Sequence, residues 1–101
     1  MRIAIVDDIH SERVLLHTRL EEQLTKRGVH ADLTEFENGE AFLKASRERP
    51  FTVLFLDIYM NGANGVEIAR ELRKSDPDCL LIFTTTSTDH ALEGFKVRAL
   101  H

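Results

Sequence analysis

Four short segments of the chain have the apolar pattern of β-strands. Residues 3–6, 51–56 and 80–83 are almost continuously apolar, as expected for strands that a parallel sheet buries on both faces. Residues 29–34 instead alternate apolar and polar side chains, which is typical of a more exposed strand. The stretches between these segments are long enough for the helical connections that parallel strands require.

Helical periodicity occurs in the stretches between and after these strands. Leu16, Leu20 and Leu24 recur four residues apart. Ser11 is a candidate N-cap for this helix, and Gly28 is well placed to end it. The apolar residues of the other three predicted helices are Ala41, Phe42 and Ala45, then Val66, Ile68, Ala69 and Leu72, and finally Ala91, Leu92 and Phe95. The order βαβαβαβα predicts an α/β fold with a mainly parallel sheet and helices on both faces.

Composition narrows the classes of protein that fit this pattern. With 101 residues, 43% of them hydrophobic and 30% charged, the chain is expected to form one small folded domain. A net charge of -4 argues against direct binding to nucleic acid, which depends on clustered Lys and Arg. No apolar run approaches the roughly 20 residues needed to cross a membrane. The single cysteine, Cys79, fits a reducing compartment, so we expect a cytoplasmic protein.

Acidic and hydroxyl side chains follow the predicted buried strands. Asp7 and Asp8 come directly after the first strand, and Asp57 comes after the third. Thr84 and Thr85 follow the fourth strand. Ligands of open α/β sheets bind at the carboxyl ends of the strands, where these carboxylates would repel each other unless a cation compensates. Mg²⁺ prefers such oxygen ligands, so the pattern predicts a magnesium site suited to phosphoryl transfer onto a carboxylate.

These residues together resemble the receiver domain of two-component response regulators, and the resemblance covers the whole chain. They are the pair Asp7 and Asp8, residues 57–60 followed by Gly65, and Thr85. The resemblance implies a flavodoxin-like, doubly wound parallel sheet with strand order 2-1-3-4-5. It also implies a switch that takes a phosphoryl group from a sensor histidine kinase and controls an output such as transcription. Such a switch catalyses only its own phosphorylation and dephosphorylation and is not a metabolic enzyme.

The same resemblance implies a role for each residue of the acidic pocket. Asp57 would accept the phosphoryl group and, together with Asp8, would ligate Mg²⁺ directly. Asp7 would act through a metal-bound water, and the backbone carbonyl of Tyr59 would complete the protein ligands. Thr85 would bond to a phosphoryl oxygen and reorient on activation.

The tail of the chain, residues 91–100, resembles more specifically the receivers attached to LytTR-type DNA-binding domains. In that family the fifth strand, with a phosphate-contacting lysine and a switch aromatic residue, and the fifth helix would both follow His101. We therefore expect residues 1–101 to be an incomplete receiver domain that lacks its output domain. Lys96 and Arg98 lie in or just after the predicted fourth helix and do not replace the lysine, so phosphorylation should be impaired.

The absence of the last strand and helix has an expected consequence for assembly. The fourth strand would become an exposed edge, and apolar sheet beside the first helix would be uncovered. We therefore expect the chain to form a homodimer or to exchange elements between two copies.

Two other interpretations remain open. A phosphotransferase of the haloacid-dehalogenase kind also uses an aspartyl nucleophile, but it usually has a second Asp two residues later, where this chain has Tyr59. A pseudo-receiver that binds partners without phosphate would not need Asp8, Asp57 and Thr85. Each motif alone is common in capping and turns, and only the combination at successive strand ends favours a functional site. The five histidines show no ligand spacing.

Overall fold

The structure, a computed structural model, describes residues 1–60, 63–84 and 99–100 of the chain. Its elements in chain order are β1 (Arg2–Val6), α1 (His10–Lys26), β2 (Asp32–Phe36), α2 (Gly39–Glu48), β3 (Val53–Leu56), β4 (Tyr59–Met60), β5 (Ala63–Asn64), α3 (Gly65–Ser75), β6 (Leu80–Phe83) and β7 (Ala99–Leu100). The fourth predicted helix, with Ala91, Leu92 and Phe95, lies outside the described residues.

Within the described residues, the main sheet has five parallel strands in the order β2-β1-β3-β6-β7. The first strand therefore lies between the second and third, with Ile5 beside Glu35 of β2 and Phe55 of β3. This order confirms the predicted doubly wound, flavodoxin-like sheet, in which the strand order reverses between β1 and β3. A separate antiparallel pair, β4 and β5, follows β3.

The last position of the sheet corrects one prediction. We expected the whole fifth strand to follow His101 and the fourth predicted strand, β6, to be an exposed edge. Instead β7 pairs with β6, so that Leu81 lies opposite Ala99 and Ile82 lies opposite Leu100. The N–H and C=O groups along a strand edge favour pairing with any chain segment that reaches them. Ala99 and Leu100 already provide this pairing. The fifth strand therefore begins before His101, earlier than predicted.

The start of α1 differs from the prediction by a few residues. The helix begins at His10, and Ile9 occupies the N-cap position without a side-chain cap, so Ser11 is not the cap. Asp7 takes over part of this role, because its Oδ1 atom accepts a hydrogen bond of 2.9 Å from the backbone N–H of Ile9. A short acidic side chain two residues ahead thus orders the turn that leads into the helix.

The end of α1 follows the prediction, whereas the start of β2 does not. Gly28 has a positive φ of 66°, the left-handed conformation that glycine adopts easily at a helix end. The next backbone N–H, of Val29, donates to the carbonyl of Leu24 at 2.9 Å. Val29 therefore closes the helix and does not begin the strand, which starts only at Asp32.

The buried core lies mainly on one face of the sheet. Its members include Ala4, Val6, Leu54 and Leu56 from the strands, with Phe42 and Leu43 from α2 and Val66, Ile68, Ala69 and Leu72 from α3. None of the 17 residues of α1 is buried. Ile3 and Ile5 alternate with Ala4 and Val6 along β1. They are buried but are not part of this cluster. The α2 and α3 face is thus apolar and tightly packed, and the α1 face is more open.

Capping side chains begin α2 and α3 where the sequence has asparagine. Asn38 accepts a hydrogen bond from the backbone N–H of Ala41, and Asn64 accepts one from Val66, each at 2.8 Å. The latter cap fixes the start of α3 close to the end of β3. Among the described residues, no helix has the length and apolar character needed to span a membrane.

Candidate metal centre

The acidic residues lie on loops that continue the hydrogen-bond ladder of the sheet. The backbone N–H of Asp7 donates to the carbonyl of Phe36 at 3.1 Å, and that of Asp57 donates to Val6 at 3.0 Å. On the other side of β3, the N–H of Thr84 donates to Leu56 at 3.0 Å. The main chain of each loop is therefore fixed by the neighbouring strand at the residue where function was predicted.

Three predicted ligand residues meet at this edge of the sheet. Asp7, Asp8 and Asp57 are each half-buried, and one carboxylate oxygen from each lies within 4.8 Å of the others. Hard divalent cations such as Mg²⁺ use one or two carboxylates and keep several waters. The donor set and its spacing therefore fit a divalent cation of this kind.

The electrostatics of the pocket disfavour three negative charges without a cation. The pKa of Asp57 is raised to about 6, first by burial and then by the nearby carboxylates of Asp7 and Asp8, against the lowering effect of a hydrogen bond from the Tyr59 N–H. The pKa of Asp7 is also raised, first by burial and then by Asp8, although the N–H of Ile9 opposes this. Raised carboxylate pKa values at one site indicate a place where added positive charge is favourable.

The segment after Asp57 turns sharply at the pocket. The backbone N–H of Tyr59 donates to Asp57 Oδ1 at 3.2 Å, and the N–H of Gly65 returns to the carbonyl of Ile58 at 2.8 Å. Gly65 needs to lack a side chain here, because a Cβ atom would overlap the carbonyl oxygen of Asp57 and the Cα of Ile58. The side chain of Tyr59 is exposed. Its carbonyl as a metal ligand stays a prediction.

Two further predictions concern the hydroxyl run after β6. Thr84, the last described residue before the gap, is one of the residues that line a cavity of about 450 Å³ beside the acidic pocket. Asp7 and Asp57 line the same cavity, with Leu15 and Arg19 of α1 on another wall. Thr85, the predicted contact to a phosphoryl oxygen, lies outside the described residues, so its role stays a prediction.

Sequence reasoning missed Arg13, which contacts the acidic loop directly. Its guanidinium donates a hydrogen bond of 2.7 Å from Nη1 to the backbone carbonyl of Asp7, and its charge partly offsets the raised pKa of that carboxyl. The available signal was a basic residue in the first turn of the helix that follows the Asp pair. Nothing in the one-dimensional pattern shows that its side chain points back toward the loop.

The chain belongs to the response regulator receiver domain family, which matches residues 3–100. This confirms the resemblance predicted from the sequence and identifies the chain as a regulatory domain of two-component systems and not a metabolic enzyme of the usual kind. Receiver domains bind Mg²⁺ at an acidic pocket, the kind of site that Asp7, Asp8 and Asp57 form here.

Comparisons with individual proteins agree with this family and with the LytTR-type resemblance. The sensory transduction protein LytT of Bacillus subtilis is 31% identical over 100 residues, which are 99% of this chain and 40% of LytT. LytT of Oceanobacillus iheyensis is 38% identical over 65 residues, 62% of this chain and 26% of that protein. The chain thus spans less than half of the length of these relatives.

Solved structures show the same fold. The response regulator TrrA of Thermotoga maritima, solved in complex with Mg²⁺ and BeF, superposes with a TM-score of 0.82 and 31% identity over 97% of this chain and 82% of that chain. TrrA in complex with the histidine kinase ThkA gives a TM-score of 0.79 and 29% identity over 97% of this chain and 81% of that chain.

Proposed function

We propose that Asp57 accepts a phosphoryl group from a sensor histidine kinase and that this modification switches an output, most simply transcription. The observation that supports the proposal best is the convergence of three carboxylates, one of which, Asp57, has a pKa raised to about 6. Asp57 is therefore mainly ionised at neutral pH and can act as a nucleophile. TrrA, a relative of similar fold, is known in complex with the histidine kinase ThkA.

The transfer step needs an ionised carboxylate and a leaving group on the kinase. One Asp57 carboxylate oxygen forms a bond to phosphorus while the bond from phosphorus to the kinase histidine nitrogen breaks. The electron pair of the broken bond stays on that nitrogen. The ladder contact from the Asp57 N–H to Val6 holds the nucleophile in place during this exchange.

The proposal assigns the metal to the acidic pocket. Asp8 and Asp57 would bind Mg²⁺ directly, Asp7 would act through water, and the Tyr59 carbonyl would complete the protein ligands. When bound, the ion would neutralise charge that develops on the transferred oxygens. Thr85 would contact one of those oxygens after transfer. The fit rests on the spacing of the three carboxylates and on the complex of TrrA with Mg²⁺ and BeF.

Several features of the proposal rest on the family resemblance. Residues 3–100, which match the family, would form the receiver domain. The chain would act in the cytoplasm and would not bind nucleic acid itself. Exposed apolar side chains on α1, among them Val14 and Leu15, are consistent with assembly into a homodimer or an element-swapped dimer.

Phosphorylation with a small-molecule donor tests the proposal. The chain and a receiver extended through the fifth helix would be treated with acetyl phosphate and Mg²⁺, and the intact mass would be measured. We expect the extended receiver to gain one phosphoryl group, Asp57→Asn to gain none, and the exposed-site control Asp32→Asn to behave as the parent. Equal gain after Asp57→Asn would disprove the assignment, and no gain by the extended parent would favour the phosphate-independent pseudo-receiver.

A further inference from the structure

Arg13 lies beside the acidic pocket, but it contacts a backbone atom there. Its Nη1 atom donates to the carbonyl of Asp7 at 2.7 Å. Among the described residues, its ion pair is with Glu35 of β2, whose Oε1 atom is 3.4 Å from Arg13 Nε. Only 11% of the Arg13 side chain is exposed, so the guanidinium is held within the fold.

The position of this guanidinium matters for a cation site. Arginine commonly forms bidentate pairs with carboxylates, and such a pair with Asp7 or Asp57 would use the oxygens that a divalent cation requires. Because Arg13 Nη1 binds the backbone carbonyl of Asp7, that hydrogen bond does not occupy the carboxylate oxygens, while the positive charge of Arg13 remains close to the pocket.

Glu35 has the contacts needed to hold Arg13 in this position. It lies beside Ile5 in the sheet, and its second oxygen, Oε2, is 2.8 Å from His17 Nδ1. The other ring nitrogen of His17 is 3.0 Å from Glu21 Oε1. The carboxylate of Glu35 is thus bound at both oxygens, by Arg13 on one side and by His17 on the other, which restricts its rotamers.

We propose that Glu35 is a positioning residue of the acidic pocket, anchoring Arg13 away from the carboxylates so that a divalent cation can bind them. The inference rests on the proposed function, in which that cation is Mg²⁺. Glu35 acts through Arg13. When Glu35 no longer attracts it, the guanidinium pairs with Asp7 or Asp57 and competes with the cation.

Titration of the full chain with Mg²⁺, followed by ¹H–¹⁵N NMR, tests the inference. Glu35→Gln keeps the size of the side chain and removes its charge, and we expect it to weaken Mg²⁺ binding by about fivefold, the effect of one new ion pair of moderate strength. The matched control is Glu21→Gln, which removes a carboxylate from the same network without touching Arg13. We expect its Mg²⁺ affinity to equal that of the parent.

A double-mutant cycle separates anchoring from simple charge attraction. If Glu35 acts through Arg13, then Glu35→Gln has no further effect in an Arg13→Gln background. If Glu35 merely attracts Mg²⁺ through space, the loss is the same in both backgrounds. The inference is overturned by equal losses, and also by an unchanged affinity of the Glu35→Gln single variant.

The outcomes for this inference and for the proposed function can be told apart. A parent chain that binds no Mg²⁺ would overturn the proposed metal site and the inference together, whereas normal binding by both the parent and Glu35→Gln would overturn the inference alone. The dispersion of the NMR spectrum reports whether each variant is folded. If Glu35→Gln does not fold, Glu35→Asp retains the charge but shortens its reach to Arg13, and it must also weaken Mg²⁺ binding.

Discussion

The two faces of the sheet are held by different kinds of contact. On one face, α2 and α3 bury side chains such as Phe42 and Leu72 completely. On the other face, α1 is the longest described helix but buries none of its residues. Its contacts with the strands include the Arg13–Glu35 and His17–Glu35 pairs. Apolar packing supplies most of the stability of a small domain. The α1 face therefore depends less on apolar burial than the α2 and α3 face does.

Truncation of matched leucines on the two faces should show the largest difference. Leu72→Ala removes a side chain that is 0% exposed, and we expect it to lower the free energy of unfolding by about 3 kcal/mol. Leu16→Ala on α1 makes the same chemical change at a half-buried position, so we expect about 1 kcal/mol. Urea denaturation measures both. Equal losses would mean that α1 is packed as tightly as α3, and the comparison would fail.

Substitution of two glycines tests how rigid the pocket edge is. In Gly65→Ala the new Cβ overlaps backbone atoms of Asp57 and Ile58, so we expect a loss of about 2 kcal/mol and weaker Mg²⁺ binding. In Gly39→Ala the nearest atoms belong to the Ile68 side chain, which is buried and β-branched and has to shift. We expect this control to cost about 2 kcal/mol as well but to leave Mg²⁺ binding unchanged, because Ile68 is not part of the acidic pocket. Equal effects on Mg²⁺ binding would refute a special role for Gly65.

The carboxylate cluster predicts a pH-dependent gain of stability for Asp57→Asn. The folded chain binds the Asp57 proton more tightly than the unfolded chain, because the pKa rises from 3.8 to about 6. The stability that this tighter proton binding gives to the folded chain is fully present below about pH 4 and is lost as the pH rises through 6. Without divalent cations, the variant should match the parent at pH 3.5 and exceed it by about 1 kcal/mol at pH 7, after allowance for solvent screening.

Chemical denaturation in the presence of a chelator measures this difference. The exposed control Asp32→Asn should show no such pH dependence. A parent that is as stable as Asp57→Asn at pH 7 would mean that the three carboxylates do not oppose one another in the folded chain.

An exposed ion pair should show the smallest effect. Lys74 Nζ is 2.7 Å from Glu71 Oε1 on the surface of α3, and it lowers the pKa of that carboxyl through hydrogen bonding and charge. Because both side chains are in water, we expect Lys74→Met to leave the urea midpoint unchanged at neutral pH. A clear shift of the midpoint would show that surface charge pairs matter here as much as the enclosed Arg13–Glu35 pair.

Much of the fold could be predicted because the relevant signals are local. Buried strands appear as apolar runs, and parallel strands with helical connections place Asp7 and Asp57 at the same edge of the sheet. The end of α1 at Gly28 is similarly readable, since glycine adopts the left-handed conformation that a helix end often needs.

The remaining features depend on contacts between distant residues. The link from Arg13 to Asp7 and Glu35 requires both the rotamer of a long side chain and the register of β2 against β1. The short β4–β5 pair has no apolar run of its own. The hydrogen bond from the N–H of Gly65 to the carbonyl of Ile58 lies next to this pair, and no local pattern indicates it.

The ladder contacts of the acidic loops have a consequence for the thermodynamics of ion uptake. Because the N–H groups of Asp7 and Asp57 are bound to neighbouring strands, the two residues cannot move far apart without opening the end of the sheet. Their repulsion is relieved by a proton or by a cation. Near pH 6 the pocket should therefore behave as an ion exchanger that releases protons as it takes up divalent cations. The measured enthalpy of uptake should then vary with the ionisation enthalpy of the buffer.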